Sequence, residues 1–394
     1  MIPVGNPAIG EDFIDRENEV IQILSTLEKD SVLLIAPRRF GKTSIMRKLK
    51  DELLKKDDIC VFLEVEDVET PQRFISEIIM ALVENGKSSI KTKIISSLKG
   101  VLKWLRDNIE EIETPLGRAK LRSEIESDLK EDWMEKSRQI FDTINGADST
   151  IYIIIDEFPI AIKNMEPKEA EKFLHWFRKL RQVSGNLRFI VGGSVSIDNV
   201  VRGTGGVAVI NDFRRVKIGG FQKEIALEAI SKVFIDEGWH YEDYIGEKIL
   251  GSIGEAYIPY FIAVMLSALK EENILNGGEI NENLIDKVYN LRILGSEGKH
   301  YFEHYSHRLR LFYPEMEEKA ARAILKKVCS VDNYPVDLAF GFFKEMTGID
   351  DSEKFMDLIA DLSNDFYIEY DQENGLKFYS KMLRDWWRIY HGSS

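Results

Sequence analysis

A strand–loop–helix segment near the start of the chain limits the possible folds more than any other feature. Residues 31–35 read Ser-Val-Leu-Leu-Ile, residues 36–44 read Ala-Pro-Arg-Arg-Phe-Gly-Lys-Thr-Ser, and a helical pattern follows over 45–55. This spacing matches the phosphate-binding loop, Gly-x-x-x-x-Gly-Lys-Ser/Thr, except that Ala36 replaces the first Gly. Alanine is tolerated there if its backbone keeps a negative φ. We therefore expect a parallel α/β sheet with a phosphate cradle after its first strand.

The spacing also assigns chemical roles within this loop. Backbone amides of the loop and of the following helix N-terminus would meet phosphate oxygens, helped by the helix dipole. Gly41 allows close backbone approach, Lys42 reaches the terminal phosphates, and the Thr43 hydroxyl is placed to ligate Mg²⁺. The predicted nucleotide-binding residues are Pro37, Arg38, Arg39, Phe40, Gly41, Lys42, Thr43 and Ser44, with ATP and Mg²⁺ as the expected ligands. The sequence leaves open whether Arg38 or Arg39 faces phosphate or a carboxylate of another segment.

An acidic pair follows a second apolar run. Residues 151–155 read Ile-Tyr-Ile-Ile-Ile and precede Asp156 and Glu157. A buried strand that ends this way places both carboxylates at the carboxyl edge of the sheet, where open α/β folds bind ligands. Asp156 would hold Mg²⁺ directly or through water, and Glu157 would polarise the attacking water. An acidic pair on its own would indicate only a solvated loop, but after an apolar strand and a phosphate loop it predicts catalysis.

The next apolar run, residues 188–191, ends in Gly192, Gly193 and Ser194. A small polar side chain at the end of a neighbouring strand can face the γ-phosphate, so Ser194 is a candidate sensing residue. An ordinary strand-ending turn explains the same residues equally well.

Apolar runs alternate with charged helical stretches over about residues 32–216, the rhythm of a parallel sheet flanked by helices. The candidate strands are residues 32–35, 60–65, 151–155, 188–191 and 215–218. The charged stretch 70–143 is punctuated at Gly100 and Pro115, and it predicts an insertion of about three helices. Residues 222–290 follow a helical pattern throughout and indicate a small lid. From residue 314, two or three helices precede two short strands around Asn374 and Gly375, the pattern of a winged helix-turn-helix.

Several of these segments resemble the AAA+/STAND-type ATPases of the archaeal-ATPase class. The matching segments are residues 13–17 (Phe-Ile-Asp-Arg-Glu), 37–43 (Pro-Arg-Arg-Phe-Gly-Lys-Thr), 155–159 (Ile-Asp-Glu-Phe-Pro), 189–194 (Phe-Ile-Val-Gly-Gly-Ser), 210–213 (Ile-Asn-Asp-Phe) and 379–387 (Tyr-Ser-Lys-Met-Leu-Arg-Asp-Trp-Trp). The resemblance covers nearly the whole chain, but the stretch 70–143 carries no specific motif. It implies an AAA+-like αβα P-loop domain over residues 1–220, a helical lid over 221–298 and a winged-helix domain over 299–394.

The resemblance also implies roles for residues outside the phosphate-binding loop and the acidic pair. Phe13 would pack near the adenine, although Asp15 replaces the usual Gly of that segment. Pro259 would contact the nucleotide from the lid, although the family's glycine position holds Tyr257. AAA+ relatives often receive an arginine from a neighbouring subunit, where it stabilises charge on the transferring phosphoryl group. Arg215, next to Arg214, occupies a suitable position, and an ordinary salt-bridged arginine is the competing interpretation.

The charge of the C-terminal segment bears on its partner. Residues 301–394 contain 12 Lys and Arg against 17 Asp and Glu. The expected recognition helix around 352–362 has Asp351, Glu353, Asp357 and Asp361 against a single basic residue, Lys354. Phosphate contacts dominate DNA affinity, so this composition favours a protein-facing or intramolecular role over DNA binding. The aromatic residues Phe378, Tyr379, Trp386, Trp387 and Tyr390 could stack on single strands. Their spacing equally fits core packing of the last helix, which we favour.

The bulk composition excludes other classes. A net charge of −14 argues against a surface that is basic throughout. The two cysteines, Cys60 and Cys329, form neither a disulfide framework nor a zinc pattern and are expected to be buried. The first residues lack a basic stretch followed by an apolar one, and the apolar stretch 258–269 is too short to span a bilayer. These features predict a cytoplasmic protein without membrane contact.

Together these patterns predict an ATPase that uses Mg²⁺ and switches the orientation of its lid and winged helix. Two alternatives stay open: a nucleotide-gated protein-interaction module with little turnover, and a DNA-binding ATPase of a mobile-element or defence system. The protein partner is unidentified at this point, and a homo-oligomer is possible because an arginine supplied by a neighbour requires one.

Overall fold

A computed structural model describes residues 16–36, 39–56, 58–97, 114–145, 149–193, 197–204, 206–276 and 279–392. The chain divides into two compact units. The first, called the sheet unit, consists of Arg16–Ile35 and Thr43–Lys217. The second, called the helical unit, contains Ala36–Lys42 and Ile218–Ser394. The phosphate loop up to Lys42 therefore groups with the C-terminal half of the chain.

The sheet unit is built on five parallel strands in the order β2-β3-β4-β1-β5. These strands are β1 Val32–Ile35, β2 Ile59–Glu64, β3 Ile151–Asp156, β4 Leu187–Gly193 and β5 Arg214–Lys217. All five candidate strands of the sequence are confirmed, with ends that shift by at most two residues. Every residue of β3 is buried, as expected for a central strand that is covered on both faces.

The strand order places a topological switch point at β1. This strand lies between β4 and β5, with Ile35 opposite Gly193 in one register and opposite Lys217 in the other. The chain leaves β1 to build β2 at the far edge of the sheet, and it returns to β1 from the other side only with β5. Ligands of open α/β sheets bind at such points, outside the carboxyl ends of the strands. The phosphate loop follows β1 directly.

Helices cover this sheet and connect its strands. They are α1 Glu17–Thr26, α2 Lys42–Leu54, α3 Pro71–Asn85, α4 Ser88–Ser97, α5 Pro115–Leu129, α6 Trp133–Asn145, α7 Phe158–Asn164, α8 Pro167–Val183 and α9 Ile197–Arg202, followed by a 3₁₀ turn at Val207–Ile210. The predicted insertion contains four described helices, α3 to α6, one more than the expected three. Two of them begin alike, because Thr70 and Thr114 accept backbone N–H bonds at 3.2 Å and 3.0 Å before a proline.

An aromatic cluster beneath β3 and β4 fixes the helices next to the acidic pair. Phe158, at the start of α7, lies 5.8 Å from Phe74 and 5.2 Å from Phe177 between ring centroids. Phe177 also packs edge-on against Phe189 of β4 at 4.9 Å. All four rings are fully buried. Contacts of this kind contribute about 0.5–1.5 kcal/mol each beyond the buried area, so α7 is firmly held where it leaves β3.

The helical unit begins with the segment predicted as a lid. Its elements are α10 Lys223–Asp236, α11 Asp243–Ile253, α12 Pro259–Asn276, α13 Glu282–Lys287, a π-helical turn at Val288–Ile293 and a 3₁₀ turn at Ser296–Tyr301. The helical pattern read from the sequence is confirmed here. Helix α12 begins at Pro259, a position where the missing N–H of proline costs nothing.

The remainder of the helical unit contains five helices and a hairpin among its described residues. They are α14 Glu303–Phe312, α15 Glu315–Val328, α16 Val336–Thr347, α17 Ser352–Asn364, β6 Ile368–Asp371, β7 Gly375–Phe378 and α18 Lys381–His391. The antiparallel pair β6–β7 confirms the predicted hairpin. Gly375 ends its turn with φ 86°, and a Cβ there would collide with the Tyr334 carbonyl oxygen. The winged-helix assignment itself stays a prediction.

The aromatic residues considered for core packing differ in exposure. Phe378, Trp386 and Trp387 are buried, which agrees with core packing and leaves their rings little area for stacking with bases, whereas Tyr379 and Tyr390 are half-buried. Cys60 and Cys329 are buried free thiols, as expected. Among the helices that the structure describes, none combines the length and hydrophobicity needed to cross a bilayer.

Candidate nucleotide-binding site

The phosphate loop adopts a backbone that few side chains tolerate. Arg39 and Gly41 have φ values of 73° and 84°, and α2 begins at the next residue, Lys42. A Cβ added to Gly41 would meet no atom within 4 Å, so the space above its backbone is open. Ala36 is not among the described residues with positive φ. Its Cβ is therefore compatible with the loop, and the missing first glycine of the motif is explained.

Thr43 connects the phosphate loop to the end of β3. Its hydroxyl Oγ1 donates a hydrogen bond of 2.6 Å to Oδ2 of Asp156, 113 residues further along the chain. The other carboxylate oxygen, Oδ1, accepts the backbone N–H of Glu157 at 2.9 Å. Asp156 is 3% exposed, so this geometry is formed inside the protein. A hydroxyl and a carboxylate oxygen held together are suitable ligands for Mg²⁺, which prefers hard oxygen donors.

Thr43 and Asp156 fit the way in which Mg²⁺ is bound in nucleotide sites. Nowhere in the described ranges do three or more His, Cys, Asp or Glu side chains gather into a metal-binding cluster. Mg²⁺ in nucleotide sites needs no such cluster, because it binds through one or two protein oxygens together with substrate phosphates and water. Thr43 and Asp156 supply that minimal set.

Glu157 has an unusual backbone conformation. With φ 58° and ψ 31° it lies in the left-handed region and forms the N-cap of α7. A non-glycine residue there costs on the order of 1–3 kcal/mol, a cost often found at functional sites. Glu157 is the single residue between the end of β3 and the start of α7. Glu157 is therefore fixed by the sheet on one side and by the aromatic packing of α7 on the other.

The end of β4 lies against the start of α7. A Cβ built on Gly193 would come within 2.6 Å of Pro159 Cγ and closer still to its Cδ. Glycine is thus required at this position for a steric reason, because no side chain fits between β4 and Pro159. Ser194 is the next residue and lies outside the described residues, as do Phe13, Pro37 and Arg38. The roles predicted for these four residues stay predictions.

Arg215 is engaged within its own subunit. Its two terminal nitrogens donate to the two carboxylate oxygens of Asp198 at 2.6 Å and 2.7 Å. The hydrogen bonds to Asp198 raise the pKa of the guanidinium. The neighbouring Arg214 is 70% exposed at its side chain and lies 3.0 Å from Asp30. The structure thus brings Arg215 together with a carboxylate that the sequence motifs did not single out.

A partly buried ion pair fixes the segment that leads into β5. Arg181 of α8 donates to both carboxylate oxygens of Asp212, at 3.0 Å and 2.8 Å, and to the Val209 carbonyl at 2.8 Å. Its guanidinium also lies 4.1 Å from the centre of the Phe213 ring. These bonds hold the approach to Arg214 and Arg215 against α8. Asp212 and Phe213 belong to one of the family-like segments, and this ion pair is a structural reason for their presence.

The lid segment reaches its helix through a strained turn. Tyr257 has φ 38°, and its carbonyl accepts the N–H of Phe221 at 3.0 Å. Gly220 passes so close to the Ala256 carbonyl that no Cβ would fit. Pro259 and Tyr260 follow this turn as the first two residues of α12. The Arg39 guanidinium lies over the Tyr260 ring, 4.0 Å from its centroid. The nucleotide contact expected of Pro259 stays a prediction.

Phe40 contacts the C-terminal part of the helical unit. Its ring centroid lies 5.1 Å from Phe366 and 6.1 Å from Tyr379, and the ring is fully buried. Ser44 is buried on the first turn of α2. Sequence reasoning missed Tyr260, Phe366 and Tyr379 as neighbours of the phosphate loop. A large aromatic residue inside a phosphate loop is itself a signal, because a loop that only binds phosphate does not require one.

Comparisons with known proteins agree with this fold. No protein-family model matches the chain, and no curated protein is similar to it in sequence. Among solved structures, a Walker-type ATPase of Pyrococcus abyssi aligns with a TM-score of 0.64 at 16% identity, over 98% of this chain and 99% of that chain. The ORC2 protein of Aeropyrum pernix aligns with a TM-score of 0.51 at 10% identity, over 95% and 93%. The chain therefore has the α/β fold of P-loop ATPases.

Proposed function

We propose that this P-loop fold serves ATP binding and hydrolysis, with Mg²⁺ held at the end of β3. The observation that carries the proposal is the 2.6 Å hydrogen bond between Thr43 and Asp156. It links the start of α2 to the strand next to β4, at the carboxyl ends of the strands where such folds bind ligands. The ORC2 neighbour was solved in complexes with ADPNP and ADP, which supports a nucleotide as the ligand.

Each part of the proposed site would have its own role in binding or hydrolysis. The backbone amides around Gly41 and the first turn of α2 would bind the phosphate oxygens, and Lys42 would contact the terminal phosphates. Thr43 and Asp156 would hold the metal, directly or through water. When bound, Mg²⁺ offsets the negative charge that develops on the phosphate oxygens. Glu157 would orient and polarise the attacking water, a task that its fixed position at the start of α7 suits.

Other contacts of the nucleotide are proposed from the phosphate-loop motif and the family resemblance. Phe13 would lie near the adenine, Pro37 and Arg38 would complete the phosphate loop, and Ser194 would face the γ-phosphate. Pro259 would approach the nucleotide from the lid, and the Arg39–Tyr260 contact supports a functional connection between the phosphate loop and that helix. We also propose that nucleotide turnover changes the orientation of the lid and of a C-terminal winged helix, within the domain limits 1–220, 221–298 and 299–394.

The pairing of Arg215 supports a second candidate function, a nucleotide-gated interaction module with little turnover. A transferring phosphoryl group gains much of its stabilisation from a free arginine. Both terminal nitrogens of Arg215 instead donate hydrogen bonds to Asp198. In a homo-oligomer, that arginine would reach a neighbour's nucleotide only after release from Asp198. A protein target is favoured over DNA, because residues 301–394 contain 17 acidic against 12 basic side chains and α17 exposes a single basic residue, Lys354.

Two substitutions test the main proposal. Lys42→Ala removes the cation that contacts the terminal phosphates and should abolish ATP binding measured by calorimetry. Glu157→Gln keeps the shape of the side chain but removes its charge, so binding should persist while steady-state hydrolysis falls by about 10²-fold or more. Glu166→Gln is the matched control, since Glu166 is an exposed N-cap of the next helix and should change neither property.

The outcomes separate the candidate functions. Undiminished hydrolysis by the Glu157→Gln protein would show that Glu157 is not the catalytic carboxylate. ATP binding without measurable hydrolysis by the unchanged protein, even with a partner added, would favour the interaction module. Salt-sensitive DNA binding, measured at low ionic strength, would support the third alternative of a DNA-binding ATPase.

A further inference from the structure

The surroundings of Phe40 carry an inference beyond nucleotide binding. Phe40, Phe366 and Tyr379 form a group of three rings within the helical unit, called here the ring triad. The Phe366 and Tyr379 rings meet edge-to-face at 4.7 Å, and Phe40 lies against both. Phe40 is 0% exposed and Phe366 is 1% exposed. A residue between two positive-φ positions of the phosphate loop is thus packed into the C-terminal half of the chain.

The Phe366 side of this contact is held by hydrogen bonds of the neighbouring residues. Phe366 has φ 59°, a conformation that a bulky residue adopts only when its surroundings enforce it. Its neighbours provide that enforcement. The buried carboxylate of Asp365 accepts the Tyr313 hydroxyl at 2.9 Å, and the Tyr367 hydroxyl donates to the Tyr305 carbonyl at 2.8 Å. The corner between α17 and β6 is therefore held from both sides of Phe366.

Tyr379 ties the hairpin to the same corner. Its backbone N–H donates to the Tyr367 carbonyl at 3.0 Å, just beyond the end of β7. The two rings that contact Phe40 thus come from the two ends of one hairpin, residues 366–379. A displacement of Phe40 would disturb both ends at once.

The loop side of the contact needs such support. Arg39 has φ 73°, a left-handed backbone conformation that is strained for a residue other than glycine. A strained conformation persists only where the surrounding structure determines it. Arg39 is held over the Tyr260 ring, and the next residue, Phe40, is held in the ring triad. These contacts keep the backbone amides on either side of Gly41 in their binding arrangement before a nucleotide arrives.

We propose that Phe40 and Phe366 are positioning residues through which the hairpin 366–379 sets the affinity of the phosphate loop for nucleotide. The inference rests on the proposed function, since it concerns regulation of the same site. Coupling is reciprocal: if hairpin packing strengthens nucleotide binding, then nucleotide binding stabilises the hairpin by the same free energy. The C-terminal part of the protein would therefore sense whether the phosphate loop is occupied, through three rings and without touching the nucleotide.

The first arm of the test needs no nucleotide. Amide hydrogen exchange over residues 366–379 is compared between the unchanged protein and Phe40→Leu. In other proteins, ring contacts of this kind contribute about 0.5–1.5 kcal/mol. Their loss therefore corresponds to amide exchange that is about twofold to tenfold faster in residues 366–379. Unchanged exchange in the Phe40→Leu protein would overturn the packing link.

The second arm measures ATP affinity and turnover. Phe366→Leu should raise the Kd for ATP by about threefold to thirtyfold, the usual range of such couplings. Turnover at saturating ATP should stay unchanged, because Asp156 and Glu157 are untouched. Phe366→Tyr keeps the ring and should bind ATP as the unchanged protein does. Phe343→Leu is the matched control: Phe343 is equally buried in α16 and contacts only Phe340 and Phe355 among described aromatic rings.

Three results would overturn the inference: equal effects of Phe366→Leu and Phe343→Leu, tighter ATP binding by Phe366→Leu, or a Kd that does not change. ATP should also slow exchange over residues 366–379 in the unchanged protein, and this protection should be lost in Phe366→Leu. If the unchanged protein binds no ATP, the proposed function and the nucleotide part of the inference both fail. The exchange measured without nucleotide then still decides whether Phe40 and the hairpin are linked.

Discussion

Replacing Gly193 with alanine should separate nucleotide binding from hydrolysis. The new Cβ would lie 2.6 Å from Pro159 Cγ, whereas carbon atoms in contact prefer about 3.5–4.0 Å. Something must therefore move by about 1 Å. Strand β4 is hydrogen-bonded to β3 on one side and to β1 on the other. We therefore expect α7 to move, and Glu157 to move with it because it is the N-cap of α7.

The magnitude of each effect follows from this geometry. Forcing an extra methyl group into a packed region costs about 1–3 kcal/mol of stability. A displacement of about 1 Å at a catalytic group costs about 10²-fold in rate. Gly193 and Pro159 lie outside the phosphate loop, residues 36–44. We therefore expect hydrolysis to fall by about 10²-fold while the Kd for ATP changes by less than about threefold.

The assay combines steady-state hydrolysis, calorimetric ATP binding and thermal unfolding. Gly185→Ala is the matched control, because a Cβ at Gly185 would meet no atom within 4 Å and its φ lies in the ordinary range. This variant should match the unchanged protein in all three measurements. Full hydrolysis by Gly193→Ala, in a protein that is folded and binds ATP, would refute the argument that the β4–α7 contact positions Glu157.

Two further predictions concern charged or ionisable groups. Asp198→Asn should release Arg215 at a stability cost below about 1 kcal/mol, since the pair is partly exposed. The hydrolysis rate per subunit of this variant should then increase with protein concentration. A rate per subunit that is independent of concentration would contradict a role of Arg215 in a neighbouring subunit's site. Burial raises the pKa of the Cys60 thiol to about 12, so the folded protein should not react with a thiol reagent at pH 8, and rapid reaction would contradict the packing of β2. Because the folded pKa is raised, the stability associated with Cys60 is complete below its ordinary pKa of about 9 and is lost as the pH rises towards about 12.

The parts of the fold that depend on short-range patterns could be predicted from the sequence. Continuous apolar runs identified the strands that begin near residues 32, 151 and 188, as expected for strands covered on both faces. The two outer strands, β2 and β5, were identified from short runs rich in β-branched residues. The Asn374-Gly375 turn located the hairpin for a similar reason, since few residues adopt φ 86°. The motif spacing placed Thr43 and Asp156 close together before any contact was known.

Contacts between distant segments could not be predicted in this way. The pairing of Arg215 with Asp198 depends on where α9 lies beside β5, and no local sequence pattern predicts the position of α9. The left-handed conformation of Arg39 contradicts the preference of its residue type and exists only because Tyr260 and the ring triad enforce it. The burial of Phe40 requires the corner at Phe366, more than 300 residues away in the chain. Tertiary packing decides such features.

ATP binding by the unchanged protein and by Lys42→Ala, measured by calorimetry in the presence of Mg²⁺, tests the central claim most directly. The loop geometry at Gly41 and the hydrogen bond between Thr43 and Asp156 predict saturable binding of about one ATP per chain, lost when Lys42 is replaced. No binding by the unchanged protein, or equal binding by both proteins, would contradict it.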